Sequence, residues 1–242
     1  MADDGTSSGA CRKRGLARAL ASGVLVAAMP LCAAQSVCHG TPADGRLEAG
    51  VRLPLRGDNF VPYSELGVRL GRTHVHDRVA RAVTAAYAAL AASRPDTVYV
   101  YGETGFAQGG RFEPHRTHRN GLSVDFMVPV ADARGRSVPL PASADNRFGY
   151  DIEFDDEARA GELRIDFDAV AAHLLALHAA AEGEGIRIGR VIFEPAYLPR
   201  LFAAEQGALV RRRIAFMQRP AWVRHDEHYH VDFELPCRPL RD

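Results

Sequence analysis

Two short stretches of the sequence decide the fold: HRTHRNGLSVDFMV at residues 115–128 and HDEHYHVDF at residues 225–233. After Gly121 the first stretch alternates apolar side chains with other residues, and a period of two predicts a strand with one apolar face. The alternating apolar residues are Leu122, Val124, Phe126 and Val128. In the second stretch the same period turns His228, His230 and Asp232 to one face of a strand.

The loop before the first strand carries His118, and the strand itself carries Asp125. Gly121 lies between them, where a chain that leaves a loop for a strand needs freedom in φ. A neighbouring strand would present His230 beside these two residues. Two imidazoles and one carboxylate form a donor set that zinc accepts, and three protein ligands leave a fourth position for water. Each stretch alone is also compatible with a plain polar surface, but the two together favour a metal site.

Helices and strands are predicted around these stretches, without an internal repeat. Residues 35–76 are rich in Gly, Pro and Arg and are expected to form an extended N-terminal arm or loop. The predicted elements are a helix at 77–93, a strand at 97–101, a loop at 102–120, an irregular segment at 131–150, short strands near 151–154 and 162–165, a helix at 168–181, a strand at 186–193, one or two helices up to 217, and a strand at 227–235. The sequence therefore predicts one α+β domain over residues 77–242.

Residues 1–34 predict an export signal. Four basic residues at positions 12–18 precede an apolar segment at 19–34. That segment is shorter than the ~20 residues of a membrane span, and it suits a secretory signal that ends in small residues, with cleavage near Ala34. An uncleaved anchor and a misassigned start codon are the alternatives. After signal removal no stable membrane insertion is expected.

The four cysteines are consistent with export. Cys38 and Cys237 would remain in the mature chain, one near each end. In an oxidising compartment they are a candidate disulfide, and two buried free thiols are the alternative. The sequence contains no Cys-x-x-Cys pair, which disfavours a cysteine-ligated zinc or a thioredoxin-like site.

Composition excludes several classes of protein. Basic and acidic residues both number 30, so no overall positive charge indicates nucleic acid as a partner. Lys13 is the only lysine and lies within the predicted signal. The mature chain would therefore lack the lysine of a Schiff base, a phosphate-binding P-loop or a Ser-x-x-Lys acylation site.

The two histidine stretches fit the patterns His-x-x-Gly-x-x-x-Asp and His-x-His. With them the sequence resembles the metallopeptidase group that includes lysostaphin, D-alanyl-D-alanine peptidases and the hedgehog zinc domain. Within this group it is similar to the penicillin-insensitive murein endopeptidases. The supporting segments are GGRF at 109–112, His115-x-x-His118, and VIFEPAYLPRLF at 191–202. The resemblance extends from about Cys38 to Cys237.

The resemblance implies a small, mainly antiparallel sheet that carries the zinc site, with flanking helices. It also implies roles for individual residues. His118, Asp125 and His230 would bind one zinc ion per chain. His228 would be the catalytic histidine beside the bound water, His225 a further active-site histidine, and His115 a residue that lines the substrate cleft.

The implied activity is zinc-assisted hydrolysis of peptide cross-links in periplasmic peptidoglycan, at D-alanyl–diaminopimelyl bonds. The alternatives are a D,D- or L,D-carboxypeptidase acting on the same stem peptides and a non-catalytic zinc-containing module that binds peptidoglycan. The sequence contains no His-Glu-x-x-His helix, so His228 is expected to take the proton of the water or to stabilise the oxyanion, and Asp232 or Glu194 would orient a histidine. Ser123 stands where relatives often have an acidic residue, Asp232 stands where a basic one is common, and residues 131–165 match relatives poorly. The sequence does not predict an oligomeric state.

Overall fold

A computed structural model describes residues 35–219 and 221–240. The predicted signal at 1–34 lies outside the described residues. The strands are β1 (Val37–Thr41), β2 (Asp44–Glu48), β3 (Val51–Arg52), β4 (Phe60–Pro62), β5 (His74–Val75), β6 (Tyr99–Tyr101), β7 (Ser123–Met127), β8 (Val130–Ala131), β9 (Ser137–Val138), β10 (Arg159–Ala160), β11 (Leu163–Ile165), β12 (Arg187–Ile192) and β13 (His228–Glu234). The helices are α1 (Glu65–Arg69), α2 (Asp77–Ser93), α3 (Phe167–Gly183), α4 (Leu198–Ala203) and α5 (Gly207–Arg213), with short 3-10 turns at Ala144–Gly149 and Pro195–Tyr197.

The central sheet has the strand order β12–β13–β7–β6–β4. Neighbouring strands are antiparallel, except that β4 and β6 run parallel. This arrangement confirms the predicted α+β fold with a mainly antiparallel sheet and flanking helices. The two histidine stretches form β13 and the end of the loop that leads into β7, and the two strands pair directly.

The pairing register of β7 and β13 brings the polar residues together. His230 lies directly opposite Asp125, and Asp232 lies opposite Ser123. Directly opposed residues of an antiparallel pair project from the same face, with Cβ atoms about 5 Å apart. The strand period expected from the sequence therefore puts both pairs on one face of the sheet.

The opposite face of the sheet packs against α2 and α3 and forms the core. Phe126 and Tyr229 lie on this face with stacked rings whose centroids are 5.6 Å apart, and both are buried. Asp166 caps α3, where its carboxylate accepts a hydrogen bond from the Ala169 amide at 2.9 Å. The cap satisfies a backbone donor that the helix start leaves free, and it therefore helps to fix the beginning of α3.

A histidine of α3 lies inside this aromatic core. His173 is fully buried, and its Nδ1 is hydrogen-bonded to the Tyr229 hydroxyl at 2.7 Å. Its ring centroid lies 4.6 Å from Phe126 and 5.2 Å from Tyr87. Burial lowers the pKa of His173 to about 3 because the charged imidazolium would be desolvated.

We predict that His173 makes the fold sensitive to acid. Its folded pKa lies below the ordinary 6.5, so its stabilising contribution is complete above pH 6.5 and is lost as the pH falls toward 3. Between pH 6.5 and 4 the loss amounts to about 3 kcal/mol. The variant His173→Phe has no proton to gain, so its free energy of unfolding in urea should fall by about 3 kcal/mol less than that of wild type over this range. Equal losses in the two proteins would contradict this assignment.

Residues 35–76, which were expected to form an extended arm or loop, contain several short strands and one short helix. Strands β1 and β2 form a hairpin, β3 pairs with β5, and β4 joins the central sheet beside β6. The segment alternates short apolar pieces with Gly and Pro, and the elements it forms are only two to five residues long. Elements this short carry too little periodicity to be distinguished from loop by sequence alone.

The segment that follows β7 forms a second, smaller sheet with the order β10–β11–β8–β9. The strand expected near 162–165 is present as β11. Its partner was expected near 151–154 and lies instead at Arg159–Ala160, so that prediction was wrong. The 3-10 turn at Ala144–Gly149 lies between β9 and β10 and precedes Tyr150.

The predicted bridge between Cys38 and Cys237 is present, with an S–S distance of 2.05 Å. It links β1 to the segment after β13 across a sequence separation of 199 residues. A cross-link over a long loop removes conformational freedom mainly from the unfolded chain. The bridge also connects the hairpin β1–β2 covalently to the segment that follows the strand of His228 and His230.

Candidate metal centre

Asp125 lies at the centre of the polar face of the sheet and is fully buried. Burial opposes its ionisation, but the neighbouring His118 and His228 outweigh this effect, and the pKa of Asp125 lies well below its usual value. The residue is therefore a carboxylate at neutral pH. A buried carboxylate is tolerated only where cations or hydrogen-bond donors surround it.

Each oxygen of the Asp125 carboxylate lies near two of four histidines. Oδ1 lies 3.2 Å from His118 Nε2 and 2.8 Å from His230 Nδ1. Oδ2 lies 3.7 Å from His115 Nδ1 and 3.9 Å from His228 Nε2. One side of the carboxylate thus faces the two histidines predicted as ligands, and the other side faces two of those predicted for the cleft and for catalysis.

His118 and His230 are each held by an oxygen on their far nitrogen. His118 Nδ1 lies 3.2 Å from the Thr104 carbonyl oxygen, and His230 Nε2 lies 2.8 Å from Asp232 Oδ1. An oxygen acceptor on one ring nitrogen fixes the tautomer and leaves the other nitrogen free for a metal. The opposite nitrogens, His118 Nε2 and His230 Nδ1, both face Asp125 Oδ1, and His230 Nδ1 is hydrogen-bonded to it at 2.8 Å.

His115 and His228 are oriented in the same way by two buried glutamates. His115 Nε2 lies 2.6 Å from Glu103 Oε2, and His228 Nδ1 lies 2.7 Å from Glu227 Oε1. Burial opposes ionisation of Glu103, but hydrogen bonds from Arg72 and His115 outweigh it and lower the pKa of Glu103 to about 2. Burial raises the pKa of Glu227 to about 8 and lowers that of His228 to about 4.

Asp232 holds His230 and is itself held on both oxygens. Ser123 Oγ donates to Asp232 Oδ1 at 2.7 Å, and the Arg190 guanidinium donates to Oδ2. Burial opposes protonation of His230, but the Asp232 charge and the hydrogen bonds that the ring donates to both aspartates raise its pKa to about 10. Positions 123 and 232, at which the sequence is expected to differ from the family it resembles, are therefore hydrogen-bonded to each other.

Glu194, the other residue expected to orient a histidine, lies elsewhere. Its carboxylate accepts from the Ala196 amide at 3.4 Å and lies 3.8 Å from Arg224 Nε. Asp232 thus takes the role for which the sequence left two candidates open.

The loop before β7 holds His118 in a left-handed backbone conformation, with φ at 68°. Such a conformation costs a residue other than glycine about 1–3 kcal/mol and persists only where the surroundings impose it. Gly121, with φ at 77°, follows in the same turn, and a Cβ there would lie 2.8 Å from the His76 amide nitrogen. The glycine expected from the sequence is therefore required by conformation and by a close backbone approach.

The buried donor atoms fit a metal ion. Among the described residues, His118 Nε2 has no hydrogen-bond partner although it is buried. One ligand atom each from His115, His118 and Asp125 lie within 4.8 Å of one another. An orphaned imidazole nitrogen that faces a carboxylate oxygen suits a divalent cation, and zinc accepts this mixture of nitrogen and oxygen ligands.

His225 lies beside the histidines that face Asp125, in contact with His228. Its ring centroid is 4.6 Å from that of His228, and its Nδ1 lies 3.0 Å from the Val223 carbonyl oxygen. Burial lowers the pKa of His225 to about 3. It packs against His228, and Trp222 lies on its other side with ring centroids 6.1 Å apart.

Sequence reasoning missed three residues of the site: Glu103, Tyr150 and Glu227. Glu227 stands beside His228 in the histidine stretch, so its position next to a predicted catalytic residue was an available signal. Glu103 follows β6 in a segment interpreted as loop. Tyr150 lies in the segment 131–165 and reaches Asp125 Oδ2 with its hydroxyl at 3.0 Å. Neither of these two had a local pattern that indicated a site.

The fold and the site together define an α+β protein with a candidate metal-dependent hydrolytic centre. A protein-family comparison matches residues 38–239 to the penicillin-insensitive murein endopeptidases, and the chain belongs to this family. No curated protein matches the chain. The family assignment makes the protein a murein endopeptidase, a hydrolase of peptide bonds, with peptidoglycan as its substrate.

The disulfide and the murein substrate both indicate an exported protein. Among the described residues, none of the helices has both the length and the apolar character that crossing a bilayer requires.

Proposed function

We propose that the protein is a zinc-dependent endopeptidase that hydrolyses D-alanyl–diaminopimelyl cross-links of peptidoglycan in the periplasm. The observation that carries the proposal is the division of histidines about Asp125. Oδ1 approaches His118 Nε2 and His230 Nδ1, and Oδ2 faces His115 and His228. The two histidines proposed as metal ligands and the two proposed for catalysis and for the cleft thus lie near different oxygens of one carboxylate.

The proposed zinc ligands are His118 Nε2, Asp125 Oδ1 and His230 Nδ1. The Thr104 carbonyl oxygen and the Asp232 carboxylate accept from the far nitrogens of His118 and His230, and this supports the choice because the opposite nitrogens then face Asp125 Oδ1. His115 is the alternative third ligand, since its ligand atom lies within 4.8 Å of those of His118 and Asp125. Its contact with Asp125 is at Oδ2, which favours His230.

A zinc ion held there would lower the pKa of a coordinated water to about 7 and polarise the scissile carbonyl. We propose that His228 Nε2 accepts the proton of the attacking water, because Glu227 holds Nδ1 and Nε2 faces the Asp125 side of the site. His225 packs on the His228 ring and limits its movement. His115, which is partly exposed, would line the substrate cleft.

The surroundings of His225 suit a peptide that carries free carboxylates. Trp222 is 46% exposed, and the Arg116 guanidinium lies 5.4 Å from the centroid of its ring. An exposed aromatic ring offers a flat apolar surface, and an arginine fork binds carboxylates. We propose that this pair contacts the stem peptide.

The test is a digestion of cross-linked muropeptide dimers by the exported form of the protein, with zinc or with a chelator, followed by mass spectrometry. We expect monomers with zinc and intact dimers with the chelator. Loss of a terminal D-alanine from intact dimers would instead identify a carboxypeptidase. Intact dimers in the presence of stoichiometrically bound zinc would identify a binding module, and absence of both zinc and cleavage would contradict the proposal.

A further inference from the structure

Tyr150 contributes a hydroxyl group to the centre of the site. Its oxygen lies 3.0 Å from Asp125 Oδ2 and 2.9 Å from the Glu103 amide nitrogen. The amide donates to the hydroxyl oxygen, so the phenolic proton points to the carboxylate, which can only accept. The ring lies beside two histidines of the same side, with centroids 5.0 Å from His228 and 5.8 Å from His115.

A turn with an unfavourable backbone delivers this side chain. Arg147, Phe148 and Gly149 have consecutive positive φ values of 48°, 58° and 100°. Such conformations cost about 1–3 kcal/mol for each residue other than glycine and are found where the surroundings impose them, often at functional sites. Phe148 and Tyr150 both pack edge-on against Tyr63, with centroids 6.2 and 6.0 Å away, and these contacts hold the turn in place.

The sheet leaves room for the hydroxyl group. Gly102 follows directly after β6, and a Cβ at this position would lie 2.7 Å from the Tyr150 hydroxyl oxygen. A side chain at position 102 would therefore displace the phenol from Asp125. The turn with positive φ values and the absence of a side chain at Gly102 are separate features. Both permit the hydrogen bond between the Tyr150 hydroxyl and Asp125 Oδ2.

We propose that Tyr150 is a positioning residue that fixes the rotation of the Asp125 carboxylate. By donating to Oδ2, the phenol leaves Oδ1 as the oxygen that faces His118 Nε2 and His230 Nδ1. The inference rests on the metal site of the proposed function. It gives the segment 131–165 a place in the site, because this segment supplies the group that orients the only carboxylate among the proposed ligands.

The test compares zinc affinity in two variants that each remove one buried hydroxyl. Tyr150→Phe keeps the ring contacts and removes the donor to Asp125. Tyr197→Phe is the matched control, because the Tyr197 hydroxyl donates to the Asp155 carbonyl oxygen at 2.6 Å. Loss of a group that orients a metal ligand typically weakens metal affinity by about 10–100-fold. We expect this loss in Tyr150→Phe and wild-type affinity in Tyr197→Phe, measured by competition with a chromophoric chelator.

A second readout distinguishes orientation from general loosening of the fold. In protein loaded with cobalt, Tyr150→Phe is expected to change the visible ligand-field spectrum, whereas Tyr197→Phe should leave it unchanged. The thermal unfolding of the metal-free proteins is expected to be similar in both variants.

A further pair of variants tests the position of the phenol without removing it. Gly149→Ala is expected to displace the phenol, and Gly161→Ala is its control. A Cβ at Gly149 would make only ordinary contacts, the nearest at 3.6 Å, so Gly149→Ala acts through its backbone at φ 100°. Gly161→Ala imposes a similar strain at φ 60°, in the β10–β11 turn, where nothing lies within 4 Å. We expect weaker zinc binding in the first variant only. Wild-type zinc affinity in both Tyr150→Phe and Gly149→Ala would overturn the inference, whereas a wild-type protein that binds no zinc would overturn the proposed function itself.

Discussion

Replacement of His230 by alanine is expected to abolish zinc binding and peptide hydrolysis together. The variant removes the imidazole whose Nδ1 lies 2.8 Å from Asp125 Oδ1, and two protein ligands would remain. A catalytic metal stabilises the transition state by several kcal/mol, so its loss should lower the turnover of muropeptide dimers by about 1,000-fold or more. The measurements are the zinc content per chain by elemental analysis and the rate of dimer cleavage.

His115→Ala is the matched variant for this prediction. The alternative ligand set contains His115 in place of His230, because one donor atom each from His115, His118 and Asp125 lie within 4.8 Å. We expect His115→Ala to retain one zinc per chain and to lose activity only in part. Loss of zinc in His115→Ala together with retention in His230→Ala would show that the proposed ligand set is wrong.

Loss of zinc in His230→Ala must also be separated from loss of the fold. Asp232 accepts from His230 Nε2 at 2.8 Å, and the variant would leave a buried carboxylate without this partner. A double variant, His230→Ala with Asp232→Asn, removes that charge. If the double variant is folded by circular dichroism and still binds no zinc, the loss belongs to the missing ligand.

The sequence predicts much of this site because strand geometry is regular. A period of two places His228, His230 and Asp232 on one face of β13 and turns Tyr229 into the core, where it is buried. The neighbouring strand was expected to bring Asp125 and His230 together, and the register puts them directly opposite each other. Local periodicity and a metal donor set were sufficient for this part.

The residues that hold the histidines were less accessible to sequence reasoning. Glu103 reaches His115 from the end of β6, 12 residues away in sequence, and Tyr150 reaches Asp125 over a separation of 25 residues. These contacts depend on how the segments after β6 and β7 return to the sheet. No local pattern specifies such a path, because the turn before Tyr150 has backbone conformations that its residues do not favour.

The register of β7 and β13 explains why the residues at positions 123 and 232 suit each other. Ser123 and Asp232 lie opposite each other in β7 and β13, and the serine hydroxyl donates to the carboxylate at 2.7 Å. An acidic residue at 123 would face the Asp232 carboxylate and repel it. A serine at 123 is therefore compatible with an aspartate at 232, and the aspartate is then free to hold His230 and to pair with Arg190.

Replacement of His228 by alanine is expected to differ from His230→Ala in zinc binding alone, with zinc retained and activity lost. His228 Nε2 lies 3.9 Å from Asp125 Oδ2, away from the oxygen that faces the proposed ligands, so its removal leaves all three ligands in place. Loss of a positioned proton acceptor typically lowers the rate by about 10²–10⁴-fold. The zinc content and the rate of dimer cleavage are measured on the same preparation.

His178→Ala is the control for this last variant, because His178 lies on α3, where its Nδ1 is 3.4 Å from the Glu182 carboxylate, and it has no role in the proposed site. It should cleave dimers at the wild-type rate. Unchanged activity in His228→Ala would remove the proposed role in proton transfer, and loss of zinc would make His228 a ligand. Retained zinc with a rate about 10²-fold or more below wild type would instead separate the two histidines of the His-x-His pair, one as a metal ligand and the other as the group that accepts a proton.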